Sequence, residues 1–152
     1  MKRAIPTAKE FVWTDEYKLG HAAMDDTHRE FVELVGGMER ANDADFPALF
    51  HRFVDHAQRH FELEKTLMSD GDFPAKDCHV EEHDKVLASV LQVKPLVDAG
   101  RIDIGRSLVQ ALREWFPAHA DYLDSALAQW LVKRSAGGVP LVLKRRGKVA
   151  TD

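Results

Sequence analysis

Two pairs of metal-capable side chains at helical spacing constrain this chain more than any other feature. The string RHFELEKTLM places His60 and Glu64 four residues apart, and CHVEEHDK does the same for His79 and His83. On an α-helix four residues rotate by only ~40° and rise ~6 Å, so each pair points from one face toward one place. Two such pairs on neighbouring helices can converge on a shared point. Imidazoles and a carboxylate that converge in an apolar core need something positive to satisfy them, because an unpaired buried carboxylate is costly. A transition metal resolves that conflict, since imidazole and carboxylate are good ligands for iron, manganese or zinc.

Two further strings enlarge the set. MDDTHREF offers His28, with Asp25 three residues before it, and EWFPAHADYLD offers His119 and Asp124. Five histidines and two carboxylates from four segments are too many for one tetrahedral zinc site. They suit two adjacent five- or six-coordinate ions with carboxylates between them. Asp124 is the awkward member. Its five-residue separation from His119 corresponds to ~140° on a regular helix. Either Asp124 reaches around, or the helix is irregular near Pro117, or Asp124 is not a ligand.

The apolar pattern around these residues has the helical period. Met24, His28, Phe31, Leu34, Val35 and Met38 predict a first helix over 22–41. Asn42 and Asp43 suit a turn, and Asp45 is an expected N-cap before Pro47. A second helix is expected over 46–69, with Gly71 as its stop and Pro74 close behind. A third starts near residue 74 or 75 and runs to about 97, with Val86, Leu87, Val90, Leu91 and Val93 as its apolar face and Pro95 kinking or ending it. The last, capped by Asp103, is expected over 104–133, with Leu108, Leu112, Trp115, Phe116, Leu123, Ala126 and Leu127 facing the core. Four amphipathic helices joined by short loops predict an all-α, up-down-up-down antiparallel four-helix bundle. It would occupy residues 1–135, including an N-terminal arm over 1–20, and be followed by a short basic C-terminal tail over 136–152.

Composition narrows the function classes. A net charge of -4 gives no reason to invoke nucleic acid. No apolar run approaches the ~20 residues that span a bilayer, so no stable membrane insertion is expected. One cysteine, Cys78, excludes an internal disulfide framework and fits a reducing, cytoplasmic setting. No protein partner can be named, and a monomer stays open.

Taken together, MDDTH, HFELE followed by Met68, HVEEH after GDFP, and WFPAHADYLD resemble the single-domain bacterial hemerythrins, over residues 11–131 or so. The resemblance implies a non-haem centre of two iron ions joined by an oxo or hydroxo bridge. His79, His83 and His119 would bind one iron, His28 and His60 the other, and Glu64 and Asp124 would bridge them. The iron with fewer protein ligands keeps an open position, which in the family takes dioxygen reversibly. The implied role is oxygen storage, transport or delivery rather than enzymology. The alternatives are an oxygen or redox sensor read by a partner, and a di-iron enzyme acting on peroxide or nitric oxide. Two departures stand out. The family often has a leucine where this chain has Phe116, and many relatives have a second acid where it has Lys65, which should face outward.

Several residues keep two readings at this level. His56, four before His60, is either a surface or partly buried histidine or a hydrogen-bond partner or ligand at the site. His21 and His51 read as surface residues. Asp25 either bonds the ring of His28 or stands exposed in the first turn. Cys78 points ~100° away from its neighbour His79 and reads as a small buried or half-buried side chain. Trp13, Trp115 and Trp130 read as packing residues, with Trp115 and Phe116 one turn before His119 and able to wall a pocket. The tail residues Lys144, Arg145, Arg146 and Lys148 form either a solvated terminus, with Val142 and Leu143 packed on the bundle, or a patch for an acidic partner or a membrane surface.

Overall fold

The computed structural model describes residues 10–70 and 72–135. The helix stop expected at Gly71, the first nine residues of the arm, and the whole tail from 136 lie outside the described residues. The described chain runs through α1 (Ala22–Arg40), α2 (Phe46–Ser69), α3 (Lys76–Asp98), α4 (Ile102–His119), a π-helical turn (Ala120–Asp124) and α5 (Ser125–Ser135), which continues α4. Each helix packs on the next and α4 closes back on α1, so the four rods ring one core. This is the expected four-helix bundle. No described helix is long and apolar enough to cross a membrane.

The core is aromatic at its centre. Phe31, Phe46, Phe50, Phe53 and Phe116 are all fully buried or nearly so. Phe31 stacks on Phe116 at 4.8 Å and meets Phe53 edge-on at 5.6 Å. Such pairs add roughly 0.5–1.5 kcal/mol each beyond their buried area.

Several local expectations are corrected. Asp45 makes no side-chain cap; the turn is closed by Asn42, whose Oδ1 accepts from the Asp45 N–H at 2.8 Å. Asp103 does not cap α4, which starts earlier; it lies in the first turn, exposed, and binds Arg101. Pro95 does not end α3 at its own position. It sits in the last turn, and the helix runs on to Asp98. Leu91 lies off the core face, 42% exposed. The apolar register beyond His119 is shifted too: Leu127 and Ala128 are buried while Ala126 is exposed, because the π turn inserts an extra residue.

The arm is tied down at defined points. Asp25 accepts from the backbone N–H groups of Leu19 and Gly20, at 2.7 and 3.1 Å. It is the first-turn acid expected, but half-buried rather than exposed, and it anchors the arm instead of bonding His28. His21 is also more than a surface residue: its Nδ1 accepts from Met24 N–H and caps α1. Phe11 is buried against Phe116 and Tyr17. Its backbone crosses α1 at Gly36, where an added Cβ would fall 2.2 Å from the Phe11 carbonyl oxygen, whereas one at Gly37 would meet nothing. Gly36→Ala should therefore push the arm off and cost about 1–3 kcal/mol. Gly37→Ala should stabilise by roughly 0.5–1 kcal/mol, through helix propensity alone. Urea midpoints of the two variants check this, and equal shifts would refute the close approach.

Candidate metal centre

All seven sequence-predicted ligand residues converge inside the bundle, and all are buried: His28, His60, Glu64, His79, His83, His119 and Asp124. α1 supplies His28, α2 His60 and Glu64, α3 His79 and His83, and α4 His119. The π turn settles the spacing problem at Asp124. Its i→i+5 winding takes more residues per turn than an α-helix, so Asp124 comes round toward the face that carries His119.

Glu64 lies at the middle. Its Oε2 is 2.9 Å from Nε2 of both His28 and His60. Its Oε1 is 3.3 and 3.4 Å from Nε2 of His79 and His83. Asp124 faces it, with Oδ2 3.2 Å from His28 Nε2 and Oδ1 3.0 and 3.2 Å from Nε2 of His79 and His119. Nε2 of His83 and Nε2 of His119 face each other at 3.0 Å.

The donor set tests what belongs here. Five imidazoles turn the same ring nitrogen inward. Glu64 Oε1, both Asp124 oxygens and His79 Nε2 are buried without an aligned hydrogen bond. Buried polar atoms are ordinarily satisfied, so this arrangement suits a cation at its centre. The donors divide into two groups with their ligand atoms in mutual reach, Glu64–His79–His83–His119–Asp124 and His28–His60–Glu64. Two groups sharing Glu64 fit a non-haem pair of metal ions, with three histidines on one side and two on the other.

The electrostatics agree. Burial alone would raise the Glu64 carboxyl, but the imidazoles of His60, His28 and His79 hold it well below the usual carboxylate range. Burial and the Glu64 charge push Asp124 up, yet the close imidazoles of His119, His28 and His79 leave it lowered. Burial works against a proton on His28 and His79, but Asp124 and Glu64 outweigh it and raise the two rings to about 10 and about 9. Burial takes His83 down to about 3. Burial, together with His60, takes His56 down to about 4.

These shifts fix how protein stripped of metal should respond to pH. His28 and His79 hold protons more tightly folded than unfolded. Their contribution is complete below about pH 6.5 and is lost as pH rises through 9 to 10. His56 and His83 hold protons more weakly when folded. Their contribution is present above about pH 6.5 and is lost as pH falls through 4 toward 3. Chelator-treated protein should thus be most stable near pH 6.5, with Tm declining on both sides. Metal replaces the protons on its ligands, so loaded protein should lose the alkaline decline. A stripped-protein Tm that stays level from about pH 7 to 10 would contradict this linkage.

Residues around the ligands include some that the sequence left open or did not flag. His56 is fully buried, not a surface histidine, and it sits between Glu30 and His60. Glu82 reaches His119 Nδ1 with one carboxylate oxygen, which also accepts from Trp115 Nε1 at 3.2 Å. Neither Glu30 nor Glu82 is marked by a local spacing, because each meets its histidine across a helix–helix interface. Trp115 stacks on the His119 ring at 4.2 Å, and the Phe116 ring meets His28 edge-on at 5.6 Å. Phe61 lies flat on His83 at 4.0 Å. Lys65 is exposed, as expected. His51 is exposed and pairs with Asp98 at 2.6 Å. Cys78 is exposed rather than buried or half-buried, since its offset from His79 turns it toward solvent at the start of α3.

Comparison with known proteins places this centre. The hemerythrin HHE cation-binding domain model matches residues 19–131. The chain belongs to the hemerythrin family. It is 38% identical to the bacteriohemerythrin of Ralstonia nicotianae over 122 residues, spanning 80% of this chain and 89% of that one. It is 26% identical to the bacteriohemerythrin of Pseudomonas aeruginosa, over 84% of this chain and 90% of that protein. Among solved structures it shares the fold of wild-type hemerythrin, with a TM-score of 0.71 at 20% identity, covering 79% of this chain and 96% of the other. In this family setting, the buried histidine–carboxylate cluster of the bundle fits a non-haem metal site of the di-iron type.

Proposed function

We propose that this hemerythrin binds dioxygen reversibly at a di-iron centre, for storage, transport or delivery within the cell. His79, His83 and His119 would hold one iron, His28 and His60 the other, and Glu64 and Asp124 would be shared between them. The observation that carries this reading is the unequal division of the donors around Glu64: three histidines on one side and two on the other. Fewer protein donors leave room for an exogenous ligand at the His28–His60 side. When bound, two ferrous ions would supply the pair of electrons that reversible dioxygen binding requires.

The chain's own residues supply the remaining requirements. Glu64 and Asp124 bring negative charge that offsets two cations in a buried place. Phe116 and Phe31, packed against His28 and His60, exclude water from that end. Glu82 holds the proton of His119 at Nδ1 and keeps Nε2 directed inward. Carriage, rather than oxidation of a substrate, is supported by an apolar wall of rings at the two-histidine end.

The test is optical. Anaerobically reduced protein exposed to air should gain visible charge-transfer absorption and lose it again under vacuum, through repeated cycles. Absorption that stays after evacuation, or sustained turnover of peroxide or nitric oxide, would overturn the carrier reading.

A further inference from the structure

His60 is the one histidine of the centre whose outer ring nitrogen is bonded to a second buried histidine. Its Nδ1 lies 3.2 Å from His56 Nε2, and His56 Nδ1 lies 2.8 Å from Glu30 Oε1. His56 is completely buried, whereas the Glu30 side chain is 45% exposed. With a metal ion on His60 Nε2, the nitrogen that turns toward Glu64, the hydrogens of this chain would have one consistent order. His60 Nδ1–H donates to His56 Nε2, and His56 Nδ1–H donates to the Glu30 carboxylate. Reversing either imidazole would put a hydrogen on the nitrogen of His60 that faces Glu64, or leave the Glu30 carboxylate without a donor.

The other histidine at this end has no comparable support. His28 Nδ1 is buried without a partner. On the three-histidine side, His119 is oriented directly by Glu82, with no intervening ring. The two halves of the centre are therefore braced differently. Side-chain support for the two-histidine half enters from the surface through Glu30 and His56.

We propose that His56, held by Glu30, is a positioning residue that fixes the tautomer and orientation of His60 and so selectively strengthens the metal position formed by His28 and His60. This rests on the reading above that His60 is a metal ligand. Outer partners of ligating histidines orient the ring and raise its basicity, and their loss typically weakens metal binding about 10–100-fold. Here the effect should fall on one of the two ions.

The experiment loads wild type, His56→Phe, His56→Gln and Glu30→Gln with ferrous iron under anaerobic conditions and follows withdrawal by a coloured iron(II) chelator. A phenyl ring can occupy the same space beside Phe31 and Phe53 but bonds neither neighbour, while the glutamine amide can accept from His60 and donate to Glu30. In His56→Phe one ion should leave about 10–100-fold more readily than in wild type, with the other unaffected. His56→Gln should restore most of the retention, and Glu30→Gln should fall between. A second readout needs no metal: ring ¹⁵N shifts of stripped protein should show His56 carrying its hydrogen on Nδ1, which faces Glu30, in wild type and a mixture in Glu30→Gln; a mixture in wild type would overturn the proposal. Equal retention of both ions by wild type and His56→Phe, equal loss of both, or no rescue by His56→Gln would each overturn the proposal. Wild type that never holds two ions would instead sink the di-iron reading beneath it. Glu30→Gln, changed at the surface, keeps the test open should the buried variant fold poorly.

Discussion

Glu64→Ala should strip the centre of its metal, leaving less than one ion per chain after gel filtration where the unaltered protein keeps two. The expectation follows from position. Glu64 alone belongs to both donor groups, and its oxygens lie within 2.9 to 3.4 Å of Nε2 on His28, His60, His79 and His83. Removing one partner of a buried charge cluster costs about 3–5 kcal/mol, which is more than 100-fold in affinity. Glu64→Gln keeps the shape but not the charge and should be nearly as severe. Asp124→Asn should be milder, because on the two-histidine side Asp124 approaches His28 at 3.2 Å, while Glu64 lies 2.9 Å from both histidines there. Metal content by atomic spectroscopy decides it. Two ions retained by Glu64→Ala would show that Glu64 does not join the two halves.

Phe116→Ala should give the largest loss of stability among single changes that leave the ligands intact, about 3–5 kcal/mol. At roughly 2–4 °C per kcal/mol for a chain of this size, Tm should fall by ~6–20 °C. Phe116 is 1% exposed and stacked on Phe31. It also touches Phe11 and Tyr17 of the arm and the edge of His28. Its removal thus opens a void where arm, core and metal centre meet. Phe116→Leu keeps most of the volume and should cost roughly 1 kcal/mol. The same void removes the wall beside His28, so dioxygen release should be faster in Phe116→Ala than in wild type. Scanning calorimetry and stopped-flow release measure the two effects. A stable Phe116→Ala with unchanged release would mean that Phe116 neither packs the core nor walls the site.

The parts of this structure that were legible in the sequence are those set by local period. His60 with Glu64, and His79 with His83, stand four apart on regular helix, so their joint direction follows from helix geometry alone. The helix termini near Ser69 and Asp98 follow from turn residues and prolines. Asp124 could not be placed that way, because its side-chain direction depends on a π turn that no residue type specifies. Pro117, which lacks an N–H, was the available sign of irregular winding. The same turn misled the core register, so that Ala126 was expected inside and Ala128 occupies that role. His56, four before His60 on the same helix, was already a candidate partner, but Glu30 and Glu82 were beyond local reasoning for another reason. Their partners lie on other helices, and only the packed bundle sets those distances.

The decisive measurement is the iron content of protein purified without added metal, taken together with its spectrum before and after anaerobic reduction. Two irons per chain are expected, with visible absorption that reduction bleaches and air restores. One ion per chain, a colourless zinc protein, or no bound metal at all would contradict a di-iron centre at the heart of this bundle.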